Sequence, residues 1–267
     1  MYADLHGHTH ESCKNGRTVP NPSNAVSLRD LRQSCTDCAL NPLCLPASIG
    51  GADLERLDHI VKQRLPLERG DVLFREGIDH PSLFVVRSGS LKTFATLAEG
   101  DTQILGFHIA GEVVGLDGLG GDGHRCSAEA LERSSMCEVP FAALSDIAAK
   151  VPGLQQQLFR VMSREFSREQ QHPVMMGRKL AMSRLAIFLR SLSDRLRSIG
   201  HDPCELNLSM SRQELANYLG LVIETVSRSF SRMQALGVLR VDRRSVHILD
   251  FAALAVLAAQ ADDDVAR

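Results

Sequence analysis

The 267-residue sequence has no apolar run approaching the roughly 18 residues that a membrane-crossing helix needs. Its opening stretch, MYADLHGHTHESCKNGRT, also lacks the apolar core of a secretion signal. A cytoplasmic protein that engages no membrane is therefore expected. Strong overall charge is missing as well, the formal net value being -2. So is an even set of cysteines. Seven are present, and in a reducing compartment closely spaced thiols point to metal binding or redox chemistry rather than to a disulfide framework. The length is sufficient for two modest domains, each with its own core.

What is there begins with SCTDCALNPLCLP, which carries Cys35, Cys38 and Cys44 within ten residues, beside Pro42 and Pro46 and outside any apolar periodicity. Such a loop can turn its sulfurs toward one soft metal centre and is a sensor candidate. A fourth ligand has to come from Cys13, Cys126, Cys137 or Cys204, and spacing alone does not choose among them. The charge, near zero overall, is unevenly distributed. Residues 178 to 244 hold 12 Lys+Arg against 6 Asp+Glu, while the rest of the chain is acidic. A basic C-terminal module on an acidic body suits a phosphate-backbone partner, although an ordinary solvated surface has the same composition.

Residues 1–30 are polar, without sustained period, and read as a flexible tail. From about Leu54 to Ile147 short β-type runs (VLF, LFVVR, SLKTFATL, ILGFHI, CEVPF) alternate with glycines, the pattern of an all-β roll or barrel. In the stretch beginning VPGLQQQLFRVMSREFSREQQ, Phe159, Met162 and Phe166 recur at three- and four-residue spacing, and Glu169 continues the stripe. This is either a helix lying on its own roll or, because it links two domains, a seam between two subunits. Pro173 removes a backbone donor at a cost on the order of 3 kcal/mol, so a break there is expected, with a basic amphipathic helix resuming over 178–200.

Ser211 and Glu214 form an S-x-x-E capping box, which starts a helix that ends by Gly220. After the turn GLV, Ile223, Val226, Phe230 and Met233 make the apolar face of a second helix. Glu224, Thr225, Ser227, Arg228, Ser231 and Arg232 are left exposed. VLRV, a polar turn DRRS and VHIL then read as a hairpin, completing a winged helix-turn-helix. A carboxylate, hydroxyls and a guanidinium on one helical turn are the groups that read base edges in a major groove. An intrahelical Glu224–Arg228 ion pair is the plainer account of the same spacing. Arg212, in the first turn of the preceding helix, is a further candidate DNA contact.

Taken together, SCTDCALNPLCLP, LERGDVLFREG, LFVVRSGSLK, LGFHIAGEVVGLD, SSMCEVPF, the linking helix and SRQELANYLGLVIETVSRSFSRMQALGVL resemble, in order, the FNR/CRP family of bacterial transcription regulators. More narrowly they resemble its oxygen-sensing FNR branch. The resemblance implies an α+β chain with a cyclic-nucleotide-binding-like β-roll sensor domain, a long dimerisation helix and a C-terminal winged helix-turn-helix. The boundaries expected are a tail over 1–30, the cysteine loop and β-roll over 31–150, the dimerisation helix over 151–187 and the DNA-binding domain over 188–267. The resemblance further implies a 4Fe-4S cluster on Cys35, Cys38, Cys44 and, through the match of SSMCEVPF, Cys137. The cluster-loaded homodimer would bind DNA without oxygen, and oxygen would degrade the cluster and release it. Base reading would fall to Glu224, Ser227 and Arg228 at inverted repeats resembling TTGAT, with the loop Leu97–Asp101 facing RNA polymerase.

Three other readings compete with this one. RCSA at Arg125–Ala128 and a glutamate like Glu112 partly match the phosphate grip of cyclic-nucleotide-binding relatives, but give the cysteine loop no purpose. Structural zinc on the same four thiols is possible, although one C-x-x-C with a distant fourth thiol differs from paired zinc knuckles. ADLHGHTHES resembles the opening motif of PHP-type metal phosphoesterases, with Asp4, His6, His8 and His10 as ligands. The remaining chain is occupied by other domains, so no enzyme is expected.

Overall fold

The computed structural model describes residues 34–42, 44–63, 65–177 and 180–260. The cysteine loop makes two short 3-10 turns, Cys35–Asp37 and Leu45–Ser48, and leads into helix α1 (Ala52–Ile60). The expected β pattern therefore starts later than Leu54. Leu57 is the one fully buried residue of α1 and, with the partly buried Ile60, ties this helix to the roll.

Eight strands follow: β1 (Lys62–Gln63), β2 (Val72–Phe74), β3 (Ser82–Ser88), β4 (Ser90–Thr96), β5 (Thr102–Ile109), β6 (Val113–Val114), β7 (Ser127–Ala130) and β8 (Ser135–Pro140). They make two antiparallel sheets, in the orders β1-β8-β3-β6 and β2-β7-β4-β5. Leu73, Phe74, Phe84, Val86, Leu91, Val114 and Met136 meet between the sheets and fill the roll. Helix α2 (Phe141–Ala148) closes it and delivers the chain to α3 (Pro152–Met176).

A second core joins Leu45 of the cysteine loop, Leu57 of α1, Leu83, Val85 and Val139 of the roll, and Leu154, Leu158 and Val161 of α3. Burying each such side chain contributes roughly 1.5–3 kcal/mol. The loop is thus fixed to the long helix by packing.

Pro173 does not end α3. The helix runs one further turn to Met176, because Met175 is buried in the C-terminal core and tertiary packing offsets the lost backbone bond. Gly177 caps the end of α3, and α4 (Ala181–Ser198) is a second helix whose Leu185, Phe188, Leu189 and Leu192 belong to the C-terminal domain. The expected break thus comes at Gly177 rather than at Pro173, and residues 181–187 of the segment expected over 151–187 lie in α4, packed into the other domain.

That domain adds β9 (Glu205–Asn207), α5 (Arg212–Leu219), α6 (Ile223–Ala235), β10 (Leu239–Asp242), β11 (Ser245–Ile248) and α7 (Phe251–Ala259). Its sheet runs β10-β11-β9, one strand more than the expected hairpin. Ile104, Phe107 and Leu131 of the roll share its core, so the two domains are packed together.

Candidate metal centre and nucleic-acid interface

The cysteine loop is held by polar contacts as well as by Leu45. Ser34 Oγ caps the first 3-10 turn by accepting from the Thr36 amide at 3.2 Å. Asp58 on α1 accepts from the Cys35 amide at 2.7 Å, and Asn41 donates its side-chain amide to the Cys35 carbonyl at 2.9 Å. The Cys44 amide reaches the Leu40 carbonyl at 3.0 Å, closing the turn between them. On the roll, Cys137 sits in β8 between Gln63 of β1 and Val85 of β3.

Cys35, Cys38, Cys44 and Cys137 line one cavity of about 300 Å³, walled by Leu40, Leu45, Val61, Val85 and Val139. Burial pushes the Cys44 thiol up to about 12 and the Cys35 thiol higher still, with the Asp58 carboxylate adding to the latter. Cys137 is raised by burial and drawn down by Arg87. Burial and their mutual repulsion disfavour the charged forms of Cys35, Cys44 and Cys137, so a cation has to compensate before these thiols ligate as thiolates. Four soft donors in an apolar pocket fit an iron-sulfur group, in which thiolates are the protein's ligands. Among the described residues no three His, Cys, Asp or Glu side chains are gathered on a single point as ligands of one ion.

Cys126 lies elsewhere, buried and donating its thiol to Asp117 at 3.4 Å. Cys204 precedes β9 in the C-terminal domain. Cys13 and the Asp4, His6, His8 and His10 motif fall outside the described residues, as does the expected tail over 1–30.

Glu112 is closed off from any ligand. Its carboxylate accepts from Arg195 Nε and Nη2, both at 2.7 Å, from Arg168 at 3.0 Å and from the Ile109 amide at 2.9 Å. The cyclic-nucleotide reading needed that carboxylate free.

The helix-turn-helix forms for the reasons its sequence states. Ser211 Oγ accepts from the Glu214 amide at 3.1 Å and Glu214 returns the bond to the Ser211 amide at 2.7 Å. Gly220 ends α5 at φ +61, a left-handed backbone that favours glycine. Val226, Phe230 and Met233 are buried, and Glu224, Ser227, Arg228, Ser231 and Arg232 are exposed on the opposite face of α6, with Thr225 half-buried. Arg212 stacks over the Phe230 ring at 3.6 Å and is half-buried. Arg240, Arg243 and Arg244 are exposed on the β10–β11 wing.

Polar contacts that the sequence did not announce fasten this unit to the roll. Asn217 accepts from the Ile104 amide and donates to the Thr102 carbonyl, each at 2.7 Å. Lys92 bridges Glu214 and Glu129 at 2.9 Å. A conspicuous signal was available only for Glu214, through the capping box.

On α3, Phe159 and Phe166 are each 62% exposed and Met162 is 38% exposed, on the face that also carries exposed Glu169. The row is an exposed apolar surface on an otherwise packed helix.

A β-roll, a linking helix and a winged helix-turn-helix with an open reading face define a DNA-binding regulator. Residues 64–150 match the cyclic nucleotide-binding domain family and residues 183–257 the Crp-like helix-turn-helix domain. The chain is 47% identical over 237 residues to the transcriptional activator protein Anr of Pseudomonas protegens, covering 88% of this chain and 97% of that one. It is 41% identical over 224 residues to the fumarate and nitrate reduction regulatory protein of Escherichia coli, covering 84% and 90%. Among solved structures, FixK2 from Bradyrhizobium japonicum is similar with a TM-score of 0.68 and 28% identity, over 76% of this chain and 99% of that chain. The chain belongs to the FNR/CRP family of transcription regulators, on the branch that contains the Anr and fumarate and nitrate reduction regulators. It is a DNA-binding transcription regulator and not an enzyme. No helix among the described residues is long and apolar enough to cross a membrane.

Proposed function

We propose that this regulator senses oxygen through a 4Fe-4S cluster held by Cys35, Cys38, Cys44 and Cys137. The observation that carries the reading is the single cavity lined by those four thiols and backed by the core of α3. When bound, the cluster supplies an oxygen-labile centre whose iron charge offsets the four thiolates. The chain's part is to hold those sulfurs in an apolar pocket and to join their loop to the helix bearing Phe159, Met162, Phe166 and Glu169. A homodimer forms along that stripe, and each subunit presents Glu224, Thr225, Ser227 and Arg228, with Arg212 near the start of α5, to one half-site of an inverted repeat resembling TTGAT.

The loop Leu97–Asp101, closed by a 2.7 Å bond from the Leu97 amide to the Asp101 carbonyl, leaves Leu97 half-exposed for RNA polymerase. The protein works in the cytoplasm, where the thiols stay reduced. A zinc ion would need all four sulfurs about 2.3 Å from one point, whereas sulfurs spread around a cavity suit one thiolate per iron. The test is the visible spectrum of anaerobically purified protein, before and after air. Broad brown absorption that fades on aeration, together with loss of DNA binding, is expected. A colourless protein containing zinc would defeat the reading.

A further inference from the structure

Three glutamines follow one another on α3, and only the third is buried. Gln155 and Gln156 are exposed, whereas Gln157 is 4% exposed within a helix turn otherwise filled by Leu154, Leu158 and Val161. Burying a primary amide is unfavourable unless its donors and acceptor are matched. Here they are matched by the cysteine loop. Gln157 Nε2 donates to the Cys44 carbonyl at 3.0 Å, and its Oε1 accepts from Ser48 Oγ at 3.3 Å and from Arg160 at 3.4 Å. Arg160 in turn donates to Ser48 Oγ at 3.1 Å. The helix is pressed close at this point: a Cβ on Gly153 would come within 2.7 Å of the Ser48 carbonyl oxygen.

Cys44 therefore faces two ways. Its thiol lines the sulfur cavity and its carbonyl is held by the helix. Two residues further along α3 stands Phe159, the first member of the exposed row. A leucine at position 157 would join the surrounding apolar cluster equally well, but it could not respond to the Cys44 main chain. We propose that Gln157 is the positioning residue that transmits the state of the cysteine loop to the association face of α3, with Ser48 and Arg160 setting its orientation. The inference rests on the cluster reading above: when ligation fixes Cys44, the amide bond fixes the register of α3 against the loop, and release of Cys44 frees it.

The test compares dimer dissociation constants of the cluster-loaded and iron-free full-length protein by sedimentation, for the parent, Gln157→Leu and the exposed-neighbour control Gln156→Ala. In Gln157→Leu we expect an unchanged visible spectrum and iron content, and a ratio of the two constants about tenfold smaller than in the parent, the scale of one lost hydrogen bond. Gln156→Ala should keep the parental ratio. An undiminished ratio in Gln157→Leu overturns the proposal. So does loss of the cluster from that variant alone, because the amide would then build the site rather than report on it. If circular dichroism shows Gln157→Leu to be unfolded, Ser48→Ala carries the test with an expected fall of about threefold and the same overturning result. A parent protein that binds no iron under anaerobic conditions is a separate outcome, which overturns the cluster reading itself and this inference with it.

Discussion

Arg195 closes on Glu112 with two nitrogens, each 2.7 Å from a carboxylate oxygen, and spans from α4 to the turn between β5 and β6. A third bond from Arg195 to the Phe107 carbonyl at 2.6 Å secures the guanidinium. Arg168 of α3 joins the same carboxylate, so roll, linking helix and DNA-binding domain meet at one buried node. Removing Arg195 leaves the buried Glu112 carboxylate with Arg168 alone of the two guanidinium groups. Arg195→Met should destabilise the protein by about 3–5 kcal/mol, read as a lower midpoint in urea denaturation. The Arg195 and Arg168 charges outweigh burial and hold the Glu112 carboxyl below its ordinary value. Its contribution is present above about pH 4.5 and is lost as the pH falls through the lower folded value.

Two neighbours of that node should oppose each other in their response to pH. Burial pushes His108 down to about 4 from 6.5, so the fold binds fewer protons than the unfolded chain and stability falls as pH drops through that interval. Burial pushes Glu165 up to about 7 from 4.5, so stability falls as pH rises through that interval. Between pH 4.5 and 6.5 the two slopes have opposite sign. Glu165→Gln should expose the histidine's dependence, stability rising with pH by up to about 1.4 kcal/mol per pH unit. His108→Gln should expose the reverse. Denaturation midpoints across the range, identical in slope for both variants, would contradict this assignment.

Replacing Cys35, Cys38, Cys44 or Cys137 singly by Ser should abolish the visible absorption and oxygen-dependent DNA binding. Cys126→Ser should retain both, because that thiol is bonded to Asp117 away from the cavity. Iron analysis of the five variants decides the ligand set; a full iron complement in Cys137→Ser with loss in Cys126→Ser would reassign the fourth position.

Glu224→Ala should relax sequence preference within the half-site, the discrimination lost being about 1–3 kcal/mol. Arg240→Ala or Arg244→Ala should instead weaken binding to all sequences alike and reduce its salt dependence. Equilibrium binding to a panel of half-site variants at several salt concentrations separates the two behaviours.

Glu169 lies on the exposed stripe, and burial together with the Asp117 charge already raises its carboxyl. Across a twofold seam the paired carboxylates would repel more strongly as water leaves. Glu169→Ala should therefore dimerise and bind DNA in air without iron. Sedimentation that leaves the iron-free variant as monomeric as the parent would remove Glu169 from the switch.

Local chemistry was enough to determine some of this. The capping box at Ser211, the left-handed stop at Gly220 and the 3.6-residue period of Val226, Phe230 and Met233 each act within a few residues, so α5 and α6 were readable from the sequence, including the outward side chains of α6 except Thr225, which is half-buried. The glycine-punctuated β runs announced a roll for the same reason. Resemblance to the family, rather than spacing, singled out Cys137, and its place in the cavity wall comes from pairing of β8 with strands β1 and β3. Tertiary structure alone decided the remainder. Pro173 lies inside a helix because Met175 packs into a distant core, so the break expected at the proline comes at Gly177 instead. Gln157, Asn217 and Arg195 gave no local signal, and Glu112 was marked only through a phosphate-grip resemblance that its ion pairs exclude. The bonds from Gln157 to Cys44, from Asn217 to Thr102 and Ile104, and between Arg195 and Glu112 join residues 83 to 115 apart in the chain, and a polar side chain satisfied at such separation looks, in sequence, like any solvated one.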